Sequence, residues 1–124
     1  VHYTFCNAML WLDRLLAKLP AGVLQMATIQ FPDPWFKKKH AKRRMVNSEL
    51  VDVVAGQVAN SGGIFVQTDI EPLADEMFEL FRMDERLIEE PVRDNPFPVK
   101  TEREKAVEEK ELPVFRSMFR RKGD

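Results

Sequence analysis

Short apolar runs alternate with amphipathic segments through the first two thirds of the chain. Three strand-like runs, at residues 3–6, 23–31 and 64–67, are each followed by a segment whose apolar residues recur every three or four positions. Such an order is typical of a parallel sheet wrapped by crossover helices. The pattern therefore predicts an α/β fold, and the near-continuous apolar run at 23–31 predicts a central strand that is covered on both faces.

Helix ends are predicted from residues that cap or interrupt helices. Asn47 or Ser48 is expected to begin the second helix, because both side chains accept hydrogen bonds from free N–H groups of a first turn. Gly62 and Gly63 are expected to end that helix. Asp69 is expected to cap the third one.

The last third of the chain is less regular. Residues 86–89 predict a weak strand, residues 91–98 a proline-rich connection, and residues 101–110 a polar helix. Thr101 and Glu104 have the spacing of a capping box, and on spacing alone their expected role is only to start this helix. Alternation of polar and apolar residues at 113–119 predicts a half-covered or edge strand.

Composition limits the classes of protein to which the chain can belong. With 44% hydrophobic and 31% charged residues, it has the balance of a soluble globular protein. We expect a cytoplasmic location and no membrane partner, since no apolar run approaches the roughly 20 residues that span a bilayer. Cys6 is the single cysteine, so we expect no disulfide and no metal site. Because Val1 already lies in a strand-like stretch, residues 1–124 are expected to form one partial domain.

Three polar residues follow the three predicted strands. Asn7, Asp33 and Asp69 would line one edge of a shared cleft, since ligands of open α/β sheets bind beyond the carboxyl ends of the strands. Helix capping remains the commoner interpretation for Asn7 and Asp69. Asp33 lies between two prolines in a stiff loop where no helix begins, which favours contact with a ligand.

A cationic segment follows Asp33. Six of the eight residues at 37–44 are basic, which leaves −7 for the rest of a chain whose net charge is −1. A solvated loop is one interpretation of this charge run. Trp35, Phe36 and His40 favour nucleic acid, because cations bind phosphates while rings stack on unpaired bases.

Residues 31–44, FPDPWFKKKHAKRR, resemble the signature loop of the bacterial tRNA (guanine-N7-)-methyltransferase family. GIFVQTDIEP at 63–72 is similar to the next strand end of that family. TERE at 101–104, followed by PVFR at 113–116, is similar to its C-terminal motif. The resemblance covers essentially the whole chain.

The resemblance implies a Rossmann-like class I S-adenosylmethionine-dependent methyltransferase sheet, of which this chain would supply the C-terminal half with strands four to seven. It implies methyl transfer from S-adenosylmethionine to N7 of a guanosine in the variable loop of tRNA. Asp33 is implied as the catalytic residue, and Asn7 and Asp33 as contacts of the cofactor. The implied substrate-binding residues are Lys37, Asp69, Thr101, Glu102, Arg103 and Glu104. Further implied tRNA contacts are Trp35, His40, Lys42, Arg43 and Arg44.

The family's glycine-rich loop and the acidic residue after its second strand, which hold the methionine and ribose parts of the cofactor, have no counterpart in residues 1–124. We therefore expect activity to require the N-terminal half that carries them. Two alternatives stay open at this point. In the first, the chain is an inactive remnant that binds RNA. In the second, it is a fragment of an incomplete gene.

Overall fold

A computed structural model describes residues 14–20, 22–34 and 45–123. The strand predicted at residues 3–6 lies outside them. The described chain contains a four-stranded sheet in the order β1-β2-β4-β3. Its strands are β1 (Leu24–Gln30), β2 (Val58–Thr68), β3 (Leu87–Pro91) and β4 (Phe115–Arg121). Its helices include α1 (Ser48–Gln57), α2 (Glu71–Arg82) and α3 (Glu102–Glu109), and residues 14–17 are helical as well.

The predicted α/β fold is confirmed, and the sheet is mixed rather than wholly parallel. β1 pairs with β2 in parallel, with α1 as the crossover between them. β4 is antiparallel to both β2 and β3, so β3 runs in the same direction as β1 and β2. The carboxyl ends of those three strands consequently point to one edge of the sheet.

The prediction of a half-covered or edge strand at 113–119 is wrong. β4 lies between β2 and β3, and its central residues Ser117, Met118 and Phe119 are buried. Alternation misleads here because the polar residues of β4 are paired inside the protein instead of facing water. The Ser117 hydroxyl donates to Glu89 at 2.8 Å, and the Arg116 guanidinium bonds to Glu104 at 2.9 Å.

Helices cover both faces of the sheet. One face packs against α1 and α2, and Phe81 of α2 stacks on Phe119 with ring centroids 5.1 Å apart. The opposite face packs against α3 and the loop before it, where Phe97 contacts Phe65 edge-on at 5.5 Å. The core on the α1–α2 side is built from strand and helix residues that include Ile29, Leu50, Val51, Val54, Ile64, Val66, Leu73, Met77 and Phe119. The result is three layers, with the sheet between two helical layers.

The start of α1 agrees with the sequence and its end does not. Asn47 Oδ1 accepts a hydrogen bond from the Leu50 N–H at 2.9 Å, which confirms the predicted cap. The helix ends at Gln57, however, so Gly62 and Gly63 belong to β2. A Cβ atom on Gly62 would lie 2.7 Å from the Gln25 carbonyl oxygen, so this glycine allows β2 to approach β1 closely.

The prediction that Asp69 caps the third helix is also wrong. Ile70 occupies the N-cap position of α2 and makes no side-chain capping bond, and Pro72 lies in the first turn. Proline suits that place, since its missing N–H would have no partner within the helix. The Asp69 carboxylate is instead paired with Arg103.

The run at 23–31 forms a strand as predicted, but the described residues do not show the central, doubly covered position expected for it. β1 lies at one end of the four described strands, and Ile29 is its one buried residue.

Three later elements agree with their predictions. The weak strand is β3, the polar helix is α3, and the proline-rich segment between them forms a loop. Within residues 14–20, 22–34 and 45–123, none of the helices has the length and apolar character that crossing a membrane requires. The same residues hold no group of three or more His, Cys, Asp or Glu side chains arranged to bind a metal ion.

Candidate functional site

The carboxyl ends of β1 and β2 bring Asp33 and Asp69 to the same edge of the sheet. Gln30, the last residue of β1, lies opposite Gln67 in the parallel register. Asp33 follows Gln30 by three residues and is exposed, and Asp69 follows β2 directly. Two of the three polar residues predicted at strand ends therefore lie at neighbouring strand ends, and Asn7 lies outside the described residues.

The turn into the Asp33 loop has an uncommon backbone conformation. Phe31 has a φ of 50°, in the left-handed region that residues other than glycine seldom adopt, and it precedes Pro32. This conformation costs on the order of 1–3 kcal/mol. A hydrogen bond from the Phe31 N–H to the Gln67 carbonyl oxygen, 2.8 Å long, helps to hold it. The bond ties the start of the loop to β2.

Asp69 and Arg103 form an ion pair beside this edge. Arg103 Nη2 lies 2.7 Å from Asp69 Oδ2, and the two side chains are 55% and 10% exposed, respectively. The carboxylate is thus largely covered while much of the guanidinium still faces solvent. A pair of this kind contributes about 0–1 kcal/mol to stability, so positioning of the guanidinium is its larger consequence.

A row of polar side chains crosses three strands just inside the edge. Gln30 of β1 is in register with Gln67 of β2, and Gln67 is in register with Arg116 of β4. Gln67 Nε2 donates to Gln30 Oε1 at 2.7 Å, and Arg116 Nε donates to Gln67 Oε1 at 2.9 Å. Residues in register on adjacent strands point to the same face, which explains the continuity of the row.

Glu104 of α3 lies on this row and is fully buried. Its Oε1 accepts hydrogen bonds from Gln67 Nε2 at 3.0 Å and from Asn95 Nδ2 at 2.8 Å. Its Oε2 accepts from Arg116 Nη2 at 2.9 Å. Asn95 belongs to the loop before α3, so one carboxylate joins the sheet, the helix and the loop.

The capping-box interpretation of Thr101 and Glu104 is correct for Thr101 only. Thr101 Oγ1 accepts from the Glu104 N–H at 3.1 Å, so Thr101 does cap α3. The Glu104 carboxylate does not return to the Thr101 backbone and bonds to the polar row instead. A guanidinium is a stronger partner for a carboxylate than a backbone N–H, because both groups carry charge.

The partners of Glu104 set the direction of its pKa shift. Burial is the largest single effect and raises the pKa of the Glu104 carboxyl. Hydrogen bonds from Gln67, Asn95 and Arg116, together with the positive charge of Arg116, outweigh burial and hold the pKa below its ordinary value. Glu104 therefore stays ionised at neutral pH, and its charge is matched inside the protein.

The other candidates fall into two groups. Thr101 and Glu102 lie at the start of α3, where Glu102 has a side chain that is 93% exposed. Outside the described residues lie Asn7, Trp35, Lys37, His40, Lys42, Arg43 and Arg44.

Sequence reasoning named Glu104 but missed Gln30, Gln67 and Arg116 of the polar row, as well as Asn95. A signal was present in the strands, since two largely apolar runs each carry a glutamine near the carboxyl end, in Ile29-Gln30 and in Val66-Gln67. A polar residue at a position that pattern marks as buried needs a hydrogen-bonding partner. That partner was not identifiable before the register of the strands was known.

Comparison with known proteins agrees with this architecture. Residues 1–117 match the model of a family described as putative methyltransferase. Curated relatives named tRNA (guanine-N(7)-)-methyltransferase include those of Trichormus variabilis and Nostoc sp., both 46% identical over 98% of this chain. The relative from Synechococcus elongatus is 46% identical over 96% of this chain. The chain spans 57–58% of the length of these three relatives. By its match over nearly the whole of its length, the chain belongs to the putative methyltransferase family.

Proposed function

We propose that the protein carrying this chain transfers a methyl group from S-adenosylmethionine to N7 of a guanosine in the variable loop of tRNA. The observation that supports this most is the position of Asp33, an exposed carboxylate just beyond the end of a parallel strand in a member of a methyltransferase family. Open α/β sheets bind their ligands at that edge. The names of the relatives supply the substrate, and with tRNA as substrate the proposed location is the cytoplasm.

The proposed cofactor contacts are Asn7 and Asp33. S-adenosylmethionine, when bound, supplies a methyl group on a positively charged sulfonium. The exposed Asp33 carboxylate suits such a cationic ligand, because a negative charge lowers the free energy of a nearby positive one. Asp33 lies in a loop that is tied to β2 through Phe31, so its position is set by the sheet.

The chemistry requires alignment more than proton transfer. Guanine N7 has an exposed lone pair and carries no proton to be removed. A general base is therefore unnecessary, and correct placement of the reacting atoms can lower the barrier by about 7–11 kcal/mol. In this proposal Asp33 accepts hydrogen bonds from the Watson–Crick edge of the guanine, which orients the ring and favours the positive charge that develops on it.

Arg103 and Glu102 are the described candidates for tRNA contact on α3. The Arg103 guanidinium is more than half exposed although it is anchored by Asp69, so it can bind a phosphate without reorganising. Thr101 caps the same helix and presents this turn. Glu104 is buried with both carboxylate oxygens bonded, and we propose that it positions these groups instead of touching tRNA.

We expect tRNA affinity to depend strongly on salt, because the proposed interface includes the six basic residues at 37–44. A log-log plot of affinity against salt concentration should have a slope of about −0.7 for each single-stranded phosphate neutralised. Replacing Lys37 and Lys42 with alanine should flatten the slope by about 0.7 per residue. Filter binding across a salt series measures this. Lys110 and Lys122, both exposed elsewhere, provide the matched control pair, and an equal change in the two variants would count against the basic loop as the interface.

The function itself is tested with the intact protein, purified tRNA and S-adenosylmethionine labelled in its methyl group. Digestion of the product and chromatography should recover label in 7-methylguanosine from the variable loop. Label in another nucleoside would contradict the proposed substrate atom. Calorimetry with unlabelled cofactor distinguishes an enzyme from the inactive RNA-binding remnant. For the remnant, no heat of cofactor binding is expected even at about millimolar ligand.

A further inference from the structure

The charges at one end of the polar row determine the orientation of every amide in it. Arg116 can only donate hydrogen bonds, so the Gln67 atom that faces its Nε, 2.9 Å away, must be the oxygen. The ionised Glu104 can only accept, so the atom of Gln67 that faces it must be the nitrogen. One orientation of the Gln67 amide, with its oxygen toward Arg116 and its nitrogen toward Glu104, meets both requirements.

The same argument extends to Gln30. Gln67 Nε2 uses one hydrogen for Glu104 and the other for the Gln30 side chain at 2.7 Å. Gln30 must therefore present its oxygen to Gln67. The two terminal atoms of a carboxamide diverge from its carbon, so Gln30 Nε2 points away from the row with its two hydrogens.

The Gln30 side-chain nitrogen lies at the proposed reaction edge. Gln30 is the last residue of β1, is only partly buried, and precedes Asp33 by three residues. Among the residues that the structure describes, Gln30 is joined to the row through its oxygen, and no hydrogen bond from its Nε2 to one of them is seen. A donor of fixed direction, adjacent to the candidate catalytic carboxylate, is suited to an acceptor on a ligand.

We propose that Gln30 Nε2 donates a hydrogen bond to O6 of the acceptor guanine and so determines specificity for that base. The inference rests on the proposed function. On the edge of guanine, O6 lies between the N1–H group and N7. Asp33 and Gln30 can therefore read the N1–H and O6 positions side by side while N7 remains open to the methyl group.

The contact selects against adenine. Adenine carries an amino group where guanine carries O6, so the Gln30 amide would face a second donor. Gln67, Arg116 and Glu104 act as positioning residues in this scheme, because they prevent the Gln30 amide from turning its oxygen toward the base. A donor that faces another donor loses a hydrogen bond and gains repulsion.

A cycle of enzyme and substrate changes tests the contact in the intact protein. Wild type and Gln30→Ala are compared on tRNA that carries either guanosine or 2-aminopurine riboside at the target position. 2-Aminopurine retains N7 and lacks both O6 and the N1–H, and because Asp33 is the same in both enzymes, its lost contact affects them alike. Loss of one hydrogen bond predicts that Gln30→Ala lowers kcat/KM about tenfold on guanosine and less than about twofold on 2-aminopurine. Equal losses on the two substrates would overturn the proposal, because a purely structural role cannot depend on O6.

Two further variants keep the test decisive. Gln30→Glu preserves the acceptor for Gln67 and removes both donors, so it should lose more activity on guanosine than Gln30→Ala does, and a smaller loss would contradict the contact. Gln25→Ala is the matched control on the same strand, where the exposed glutamine bonds to the Gly22 carbonyl oxygen, and it should behave as wild type on both substrates. Failure of the wild type to methylate guanosine would overturn the proposed function itself, which is a distinct result.

Discussion

Asp33→Asn in the intact protein is expected to lower kcat for methyl transfer by about 10²–10³-fold. The change keeps the shape of the side chain, removes its charge and replaces one acceptor oxygen with a donor. The N1–H and amino group of guanine would then share a single acceptor, and the positive charge that develops on the ring would lose its counter-charge. Single-turnover kinetics with saturating tRNA measures the effect on the chemical step.

Measurement of tRNA binding distinguishes a catalytic role of Asp33 from a general loss of structure. Asp33 is an exposed loop residue, so Asp33→Asn should leave the Kd for tRNA within about twofold of the wild-type value. Asp75→Asn, at an exposed position of α2, makes the same chemical change away from the candidate site and should alter neither quantity. Unchanged turnover in Asp33→Asn would remove this residue from catalysis.

Glu104→Ala is expected to lower the free energy of unfolding by about 3–5 kcal/mol. The substitution leaves the Arg116 guanidinium, whose side chain is only 10% exposed, without its buried counter-charge. It also leaves donors of Gln67 and Asn95 without an acceptor. Urea denaturation of the intact protein near pH 7 measures the loss. Glu109→Ala, at an exposed position of the same helix, is the matched control and should change stability by less than about 0.5 kcal/mol.

The effect of Glu104 should also depend on pH in a defined direction. Its pKa is lowered in the folded protein, so the folded state binds the proton less readily than the unfolded state. The stabilisation is therefore complete above the ordinary glutamate pKa of about 4.3, and it is lost as the pH falls through the lowered folded value. The difference in stability between wild type and Glu104→Ala should narrow in acid. A difference that stays constant from about pH 7 to about pH 3 would show that the lost interaction is not electrostatic.

Local patterns predicted the first part of the fold well. The strand at β1, the helix α1 and the Asn47 cap follow from properties of contiguous residues, and all three are present. The central position expected for β1 is not seen among the described strands, because position in a sheet depends on pairing between distant segments. The interior position of β4 was not predictable in this way. Its polar residues appear solvent-facing until their partners are known, and those partners, Glu89 and Glu104, come from separate elements.

The candidate site was also predictable only in part. The sequence predicted that Asp33 and Asp69 lie at one edge, because ligands of open α/β sheets bind beyond the carboxyl ends of the strands. That prediction depends only on the order and direction of the strands. The roles of Gln30 and Gln67 depend on register, which places residues 37 positions apart within hydrogen-bonding distance. Glu104 looked like a helix-starting residue because the capping box is a four-residue pattern, whereas Arg116 lies 12 positions further along the chain.

The central claim is that the acceptor guanine is held at the shared carboxyl edge of β1 and β2. A crystal structure of the intact protein with S-adenosylhomocysteine and a guanosine-containing RNA measures this directly. We expect the Asp33 carboxylate to lie about 2.7–3.2 Å from the N1 or amino nitrogen of the base, with N7 facing the sulfur of the cofactor product. A guanine bound at the opposite edge of the sheet, or with its N7 facing Asp33, would contradict the account.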